Sequence, residues 1–420
     1  MKAIRALWRS LRSLEGNQRA CLFTEPLWSV PYNLFLPFVS LYMSAVGLSD
    51  AQIGILASLY LASQFLWGLF SGAIVDKYGR RRTMLVFGLL AWTIPCALWA
   101  TAQGFWQFAA ATALNGMWRV TGNSFSCMIV EDGDTERLVH IFTILYIMGL
   151  LAGFLAPLAG LFIGRFSLAP TMRALYAIAM ALMTAKFLLQ FRMARESSVG
   201  LRRRAETRGC SLLSLTFGGW PAFVAALGRK RMLLCVVLAV LMTCFDTIQG
   251  SFWPLFVASE YGVSDSMLSV FPSVKAVVTL LVFLLIVPRV SLARVRRPLL
   301  AGIGAQGLGL AVLLALMPLH ALWAVFFSAA CQAFALAMLG PLFESLMATS
   351  IPGAERARIN SMIYAAILLI STPAGWIAGR MAESSRVLPL AMNLCLIAAE
   401  VLVALGIVRV MQKKQVGGVA

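Results

Sequence analysis

The chain has 420 residues, 60% of them hydrophobic and 12% charged, with a mean hydropathy of +0.84. That balance excludes a water-soluble globular domain, which at this size still needs a largely polar exterior. The formal charge of +18 is carried by 35 Lys and Arg against 17 Asp and Glu, while eight cysteines without a CxxC pair and two histidines without ligand spacing exclude a zinc site.

Residues 1–20 place Lys2, Arg5, Arg9, Arg12 and Arg19 among Ile4, Leu7, Trp8, Leu11 and Leu14 at helical spacing. One basic and one apolar face predict an N-terminal interfacial helix rather than a cleaved signal peptide. Beyond it, apolar runs predict twelve spans: 21–46, 51–75, 83–102, 105–130, 138–164, 170–191, 232–258, 266–288, 298–317, 320–347, 357–379 and 387–409. The fold class is therefore an all-α membrane protein, with a six-helix bundle over 21–191, a linker over 192–231, a second six-helix bundle over 232–409 and a tail over 410–420. The linker opens on Arg192, Arg195, Arg202, Arg203, Arg204 and Arg208. Within it Leu213, Phe217, Trp220, Val224 and Leu227 predict another interfacial helix, interrupted in pattern by Gly218, Gly219 and Pro221.

Nearly all Lys and Arg outside the spans fall on the side that holds both termini, leaving Arg165, Arg173, Arg380 and Arg386 on the other. The positive-inside rule then predicts cytoplasmic N- and C-termini, and basic loops facing anionic lipid explain the net charge without nucleic acid. The halves also resemble each other. Met128 and Glu136-Arg137 recur as Met347 and Glu355-Arg356, and Gly160 to Arg165 recurs as Gly375 to Arg380, with Pro157 and Pro373 nearby. Two duplicated bundles predict a substrate site near the midplane between them.

Between spans two and three stands Gly72-Ala-Ile-Val-Asp76-Lys77-Tyr-Gly79-Arg80-Arg81-Arg82. Gly72 allows close backbone approach, Gly79 supplies a turn, and Asp76 can bridge to Arg80 or to a helix N-terminus. This loop resembles the G-x-L-a-D-r-x-G-R-k/r signature of the major facilitator superfamily, and the twelve-span plan extends the resemblance over the whole chain. The resemblance implies that the loop is a gating element that latches the cytoplasmic ends of the halves. Its second-half counterpart, 288–297, keeps the basic residues but lacks the Asp and Gly. Arg119 resembles the buried arginine of a drug-antiporter motif. Gly153 to Gly160 resembles an antiporter motif, and Arg195-Glu196-Ser197-Ser198-Val-Gly200 resembles a sugar-porter motif.

The same resemblance implies that spans one, four, seven and ten line the cavity. Three polar stripes fall on them: Glu25, Ser29, Asn33, Pro37, Ser40 and Ser44; Asn115, Arg119, Asn123 and Ser126; Thr243, Asp246, Gln249, Gly250 and Trp253. Such stripes line cavities or hold helices together. Arg119, Asp246 and Lys275 each lie roughly 18–21 Å from the inner end of their helices and can form a charge cluster. Tyr146, Trp253 and Tyr364, with Trp28 and Trp118, are candidate aromatic walls. The expected substrate contacts are Asn33, Asn115, Arg119, Asn123, Tyr146, Asp246, Gln249, Trp253, Lys275 and Tyr364. Proton coupling is assigned first to Asp246, as a functional group or a static partner of Lys275 or Arg119, and then to Glu25 and Glu344. Glu25 has an adequate account in the helix dipole before Pro26, Glu344 can belong to a gate, and Lys186 lies where it can snorkel. Lys186 and Glu400 fall on peripheral spans.

These features predict a secondary active transporter that works by alternating access, with protons as coupling ion and export of a small amphiphile as the leading direction. Uptake of a sugar or polar metabolite, a lipid-like substrate, and a non-transporting sensor are the alternatives. A small-molecule substrate, protons and the lipid bilayer are the expected partners of a monomer in a bacterial cell membrane. No cofactor, no metal and no enzymatic activity are expected, because no nucleophile constellation stands at a membrane face.

Overall fold

The computed structural model describes residues 16–131, 135–218, 220–287, 295–348 and 356–416, and every regular element among them is helical. Most of the predicted interfacial helix over 1–20, the second-half loop at 288–294 and part of the Glu355-Arg356 repeat lie outside the described residues.

In chain order the helices are α1 (Gly16–Thr24), α2 (Pro26–Phe35), α3 (Val39–Ala45), α4 (Asp50–Tyr78), α5 (Arg80–Gly88), α6 (Ile94–Ala100), α7 (Phe105–Asn115), α8 (Trp118–Val130), α9 (Thr135–Gly153), α10 (Ala156–Phe166) and α11 (Leu168–Met193). They continue as α12 (Ser198–Glu206), α13 (Leu212–Phe217), α14 (Trp220–Leu227), α15 (Lys230–Glu260), α16 (Asp265–Leu268), α17 (Val270–Leu285), α18 (Arg296–Ala315), α19 (Leu322–Ala348), α20 (Arg356–Ser371), α21 (Pro373–Ser384) and α22 (Val387–Val416).

Ten helical stretches among the described residues are long and apolar enough to cross a bilayer, and all ten coincide with predicted spans. The other two predicted spans are consecutive short helices. Over 21–46, Pro26 opens α2 and a 3₁₀ turn at Leu36–Phe38 precedes α3. Over 105–130 the chain breaks between α7 and α8 at Gly116, where an added Cβ would strike Ser63. Pro157 and Pro373 each start a helix, α10 and α21, at the corresponding break in the two repeats. Met128 and Met347 are both buried. The linker holds three short helices, the longest of nine residues, instead of the single predicted interfacial helix. None is long enough to span.

By contact the chain divides into two compact units, Met1–Leu36 with Ala62–Gly218 and Pro37–Leu61 with Gly219–Ala420. In the first, Trp28 stacks on Tyr32 at 4.7 Å and Trp92 meets both edge-on. Phe35 leans on Tyr176 at 4.9 Å. This column binds α2 to α11 and to the segment around Trp92, so Trp28 is a packing residue here rather than a cavity wall.

The second unit takes in residues 37–61, which the sequence boundaries group with the first bundle. The reason is a seam of glycines. A Cβ on Gly54 would stand 2.6 Å from the Cα of Gly379, and one on Gly375 would stand 2.8 Å from the carbonyl oxygen of Gly54. The backbones of α4 and α21 approach so closely that only glycine fits. Ser58 Oγ accepts from the Trp376 backbone nitrogen at 2.7 Å, and Arg386 clamps Asp50 through Nε and Nη2 at 2.8 and 3.1 Å.

Candidate functional site

In the second unit the polar stripe on α15 divides between two surfaces. Asp246 and Gly250 are exposed, and a Cβ added at Gly250 would meet nothing within 4 Å. Pro254 has no N–H to give the Gly250 carbonyl four residues back, which leaves that backbone acceptor without its helical donor. Gln249 is turned the other way, buried, with its Oε1 accepting from Asn393 Nδ2 on α22 at 3.1 Å. Its predicted place beside Asp246 is therefore not what the fold provides. Trp253 is also buried, edge-on to Phe271 at 5.3 Å.

Lys275 is held by α19 and α15. Its Nζ donates to Gln332 Oε1 at 3.0 Å, Gln332 donates on to Ser328 Oγ at 3.2 Å, and the ammonium lies 5.0 Å from the Trp253 ring centroid. Lys275 acts electrostatically on Asp246, yet no ion pair joins them among the described residues. The expected Asp246–Lys275 salt bridge is not closed.

In the first unit Arg119 Nε donates to Gln64 Oε1 at 2.9 Å, and its guanidinium stacks 4.5 Å over Trp118. Asn123 Nδ2 reaches Ser71 Oγ at 3.5 Å. Asn115 serves a structural purpose. Its Nδ2 donates at 2.8 Å to the carbonyl of Ala91, inside a π-helical turn at Leu89–Thr93. Pro95 lies four residues on and cannot supply that carbonyl with a helical N–H, so Asn115 replaces it. Asn33 is likewise turned to its own helix, donating to the Ser29 carbonyl at 2.8 Å.

The signature loop forms the most connected polar network of the first unit. Gly79 has φ +88°, and a Cβ there would stand 2.7 Å from Glu196 Oε2. Freed of that Cβ, Glu196 caps α5: Arg80 N donates to Oε1 at 2.7 Å and Arg81 N to Oε2 at 3.1 Å. The carboxylate on this helix N-terminus is Glu196, not Asp76. Asp76 instead binds Arg80 Nη2 at 3.0 Å and Arg203 Nη2 at 3.0 Å. That carboxylate holds the Arg203 guanidinium above its ordinary pKa, against the opposing effect of partial burial. Arg80 is buried and also forks onto Glu131 at 3.0 and 2.9 Å, while Ser197 bonds the same carboxylate. Arg81 Nε donates to the Phe191 carbonyl at 2.8 Å. Gly72, predicted to permit a close approach, has nothing within 4 Å of a Cβ position.

The remaining candidates fall apart by location. Glu25 precedes α2 but is bound to Lys186 Nζ at 2.8 Å, and Lys186 is buried among Trp28, Phe125 and Phe187 rather than snorkelling. Glu344 accepts from Tyr364 Oη at 2.6 Å, joining a proton candidate to a substrate candidate. Tyr146 is exposed on α9. Sequence reading missed Gln64, Glu131, Glu196, Arg203 and Gln332 as partners. Only Glu196 had a visible marker, the Glu196-Ser197-Ser198-Val-Gly200 run. Among the described residues no His, Cys, Asp and Glu group could hold a metal ion.

A family model described as Major Facilitator Superfamily matches residues 29–367. The tetracycline resistance protein, class C, of Escherichia coli is 26% identical over 300 residues, covering 70% of this chain and 72% of that one. The multidrug resistance protein MdtG of Yersinia enterocolitica is 32% identical over 96 residues, 22% of this chain and 23% of its own length. Among solved structures, the peptide transporter POT in complex with sulfate superposes with a TM-score of 0.68 at 16% identity, over 97% of this chain and 98% of that one. The nucleoside transporter NupG gives 0.68 at 15%, over 94% of this chain and 99% of that one. At these identities the superpositions show the fold alone.

Proposed function

The chain belongs to the major facilitator superfamily, and from that premise we propose that it is a proton-coupled exporter of small amphiphilic organic compounds. It is a multi-pass membrane transporter. In our reading it resides in a cell membrane with both termini in the cytoplasm, as the distribution of Lys and Arg favours. The observation that carries the coupling proposal is Asp246, an acidic side chain on an exposed stripe midway along a membrane-spanning helix and unpaired with Lys275. An ionisable group so placed is costly unless it has work to do. Protonation neutralises it, and ionisation restores an attraction to Lys275, so the two states favour different arrangements of α15.

Export of amphiphiles is supported by the match to the tetracycline resistance protein over most of both chains. The proposed substrate contacts are Arg119 and Asn123 in the first unit and Asp246 and Lys275 in the second. Asn33, Asn115 and Gln249 are engaged elsewhere. The signature loop is proposed as a gate whose linker contacts must be exchanged for others during the cycle.

The test uses protein reconstituted in proteoliposomes, an imposed pH gradient, and tetracycline and ethidium as probes. Gradient-driven movement of either probe should occur with the wild type and be lost in Asp246→Asn, while exchange without a gradient persists. Full gradient-driven transport by Asp246→Asn would remove Asp246 from the mechanism. Transport of neither probe would remove the amphiphile class.

A further inference from the structure

Lys275 lies midway along the apolar stretch Asp265–Leu285, where a bare ammonium is costly. Yet its surroundings are neutral. Its Nζ donates to Gln332 Oε1, whose own amide is held by the fully buried hydroxyl of Ser328. Its other contact is the ring of Trp253 on α15. That ring is fixed edge-on against Phe271, which leans in turn on Phe326 at 5.0 Å. An ammonium carries three N–H groups, so this seat leaves donors to spare. Trp253 adds one more: it is 5% exposed, and its Nε1 is buried with no acceptor among the described residues. A buried indole N–H ordinarily has a partner. An ammonium and an indole N–H therefore stand together, and no carboxylate among the described residues closes on either.

The acids of α15 are set away from that seat. Glu260 is the last residue of the helix and accepts from Ser259 Oγ at 3.2 Å. Asp246, Gly250 and Trp253 are spaced by four and three residues, so they share one face of α15. Asp246 precedes Trp253 by two helical turns, roughly 10 Å along the axis. Between them Gly250 contributes no side chain, the space over it is open, and its carbonyl lacks a helical donor because of Pro254. Along this face stand, in order, an exposed carboxylate, an open floor with a spare acceptor, and an ammonium beside a spare indole N–H. We propose that this face of the second unit binds zwitterionic amphiphiles, with an anionic group at Lys275 and Trp253 and a cationic group at Asp246. This substrate class deepens the amphiphile reading and rests on it for transport. A direct Asp246–Lys275 pair would have to draw the ammonium away from both Gln332 and the ring, whereas one molecule charged at each end satisfies both residues where they stand. A singly charged amphiphile leaves the other residue's charge uncompensated inside the membrane.

The experiment is calorimetric binding to the full chain in lipid nanodiscs, with three probes of one chain length: ω-aminooctanoate, octylammonium and octanoate. The wild type should bind the zwitterion at least about tenfold more tightly than either singly charged probe. K275Q should abolish the preference over octylammonium, and D246N the preference over octanoate. Equal binding of zwitterion and octylammonium by the wild type overturns the proposal, as does a preference that survives the matching substitution. Should K275Q or D246N fail to fold, chain length decides on the wild type alone. γ-Aminobutyrate, too short to reach across two turns, should show no preference over butylammonium, and an equal preference at both lengths overturns the proposal. If the zwitterion is preferred while transport ignores the pH gradient, proton coupling fails and the site stands. If tetracycline or ethidium follows the gradient and the zwitterion is not preferred, only the site fails.

Discussion

Arg203 donates to Oδ2 of Asp76 from both Nε and Nη2, at 3.2 and 3.0 Å, so the acidic residue of the signature loop is held by the linker that follows the first bundle. Arg203 is 39% and Asp76 23% exposed, which limits the pair to about 0.5–1 kcal/mol. Asp76→Asn and Arg203→Ala should each speed tryptic cleavage at Arg202 to Arg208 about two- to fivefold. The double variant should add little to either. Equal cleavage rates in all four proteins would show that the linker is held by something else.

Glu196 and Gly79 are matched by exclusion, since the glycine leaves the space the carboxylate fills. Glu196→Ala removes two charge-assisted bonds to backbone N–H groups and should lower stability by about 2 kcal/mol. Gly79→Ala should cost at least about 1 kcal/mol from its positive φ, and more from displacing Glu196. Because both changes disturb one contact, G79A/E196A should be less destabilised than the sum, as read from thermal unfolding in detergent. Strict additivity would contradict the shared contact.

The Glu25–Lys186 pair is buried, so its two halves depend on each other. Glu25→Gln or Lys186→Met alone leaves an uncompensated charge or polar group and should cost about 3–5 kcal/mol. The double variant should regain most of that loss. Transport by the double variant should remain driven by pH, which separates Glu25 as a structural partner from Glu25 as a proton carrier. Loss of gradient coupling in a stable double variant would return Glu25 to the coupling scheme.

Asn115 and Pro95 form a compensating pair across two helices. Asn115→Ala should cost about 1–3 kcal/mol by stranding the Ala91 carbonyl. Pro95→Ala restores a backbone donor, so P95A/N115A should be more stable than N115A and transport like wild type. A stable double variant that no longer transports would give Asn115 back a place among the substrate contacts.

Hydropathy alone located ten helical stretches, because a bilayer imposes length and apolarity on each segment independently of its neighbours. The predicted spans 138–164 and 357–379 run straight through Pro157 and Pro373, where local sterics start new helices. The other failures are those of facing. Asp246 and Gln249 are three residues apart and share a stripe by periodicity, yet α22 covers one edge of that stripe and leaves the other open. Depth placed Lys186 within reach of an interface, but not which neighbours surround it. Glu196 meets Arg80 across 116 residues of chain, and only the assembled fold brings them together. The partial motif at Glu196 was a clue to importance rather than to partner.

The glycine seam between α4 and α21 bears on how this polypeptide can be divided. Severed within the linker, the gene product would yield a leading fragment that keeps residues 37–61 and a trailing fragment that keeps Gly375, Gly379 and Arg386. Each piece would carry half of a joint too tight to admit any other side chain. Co-produced fragments should therefore co-purify without a covalent tether, and Gly54→Val, by wedging the joint, should release them.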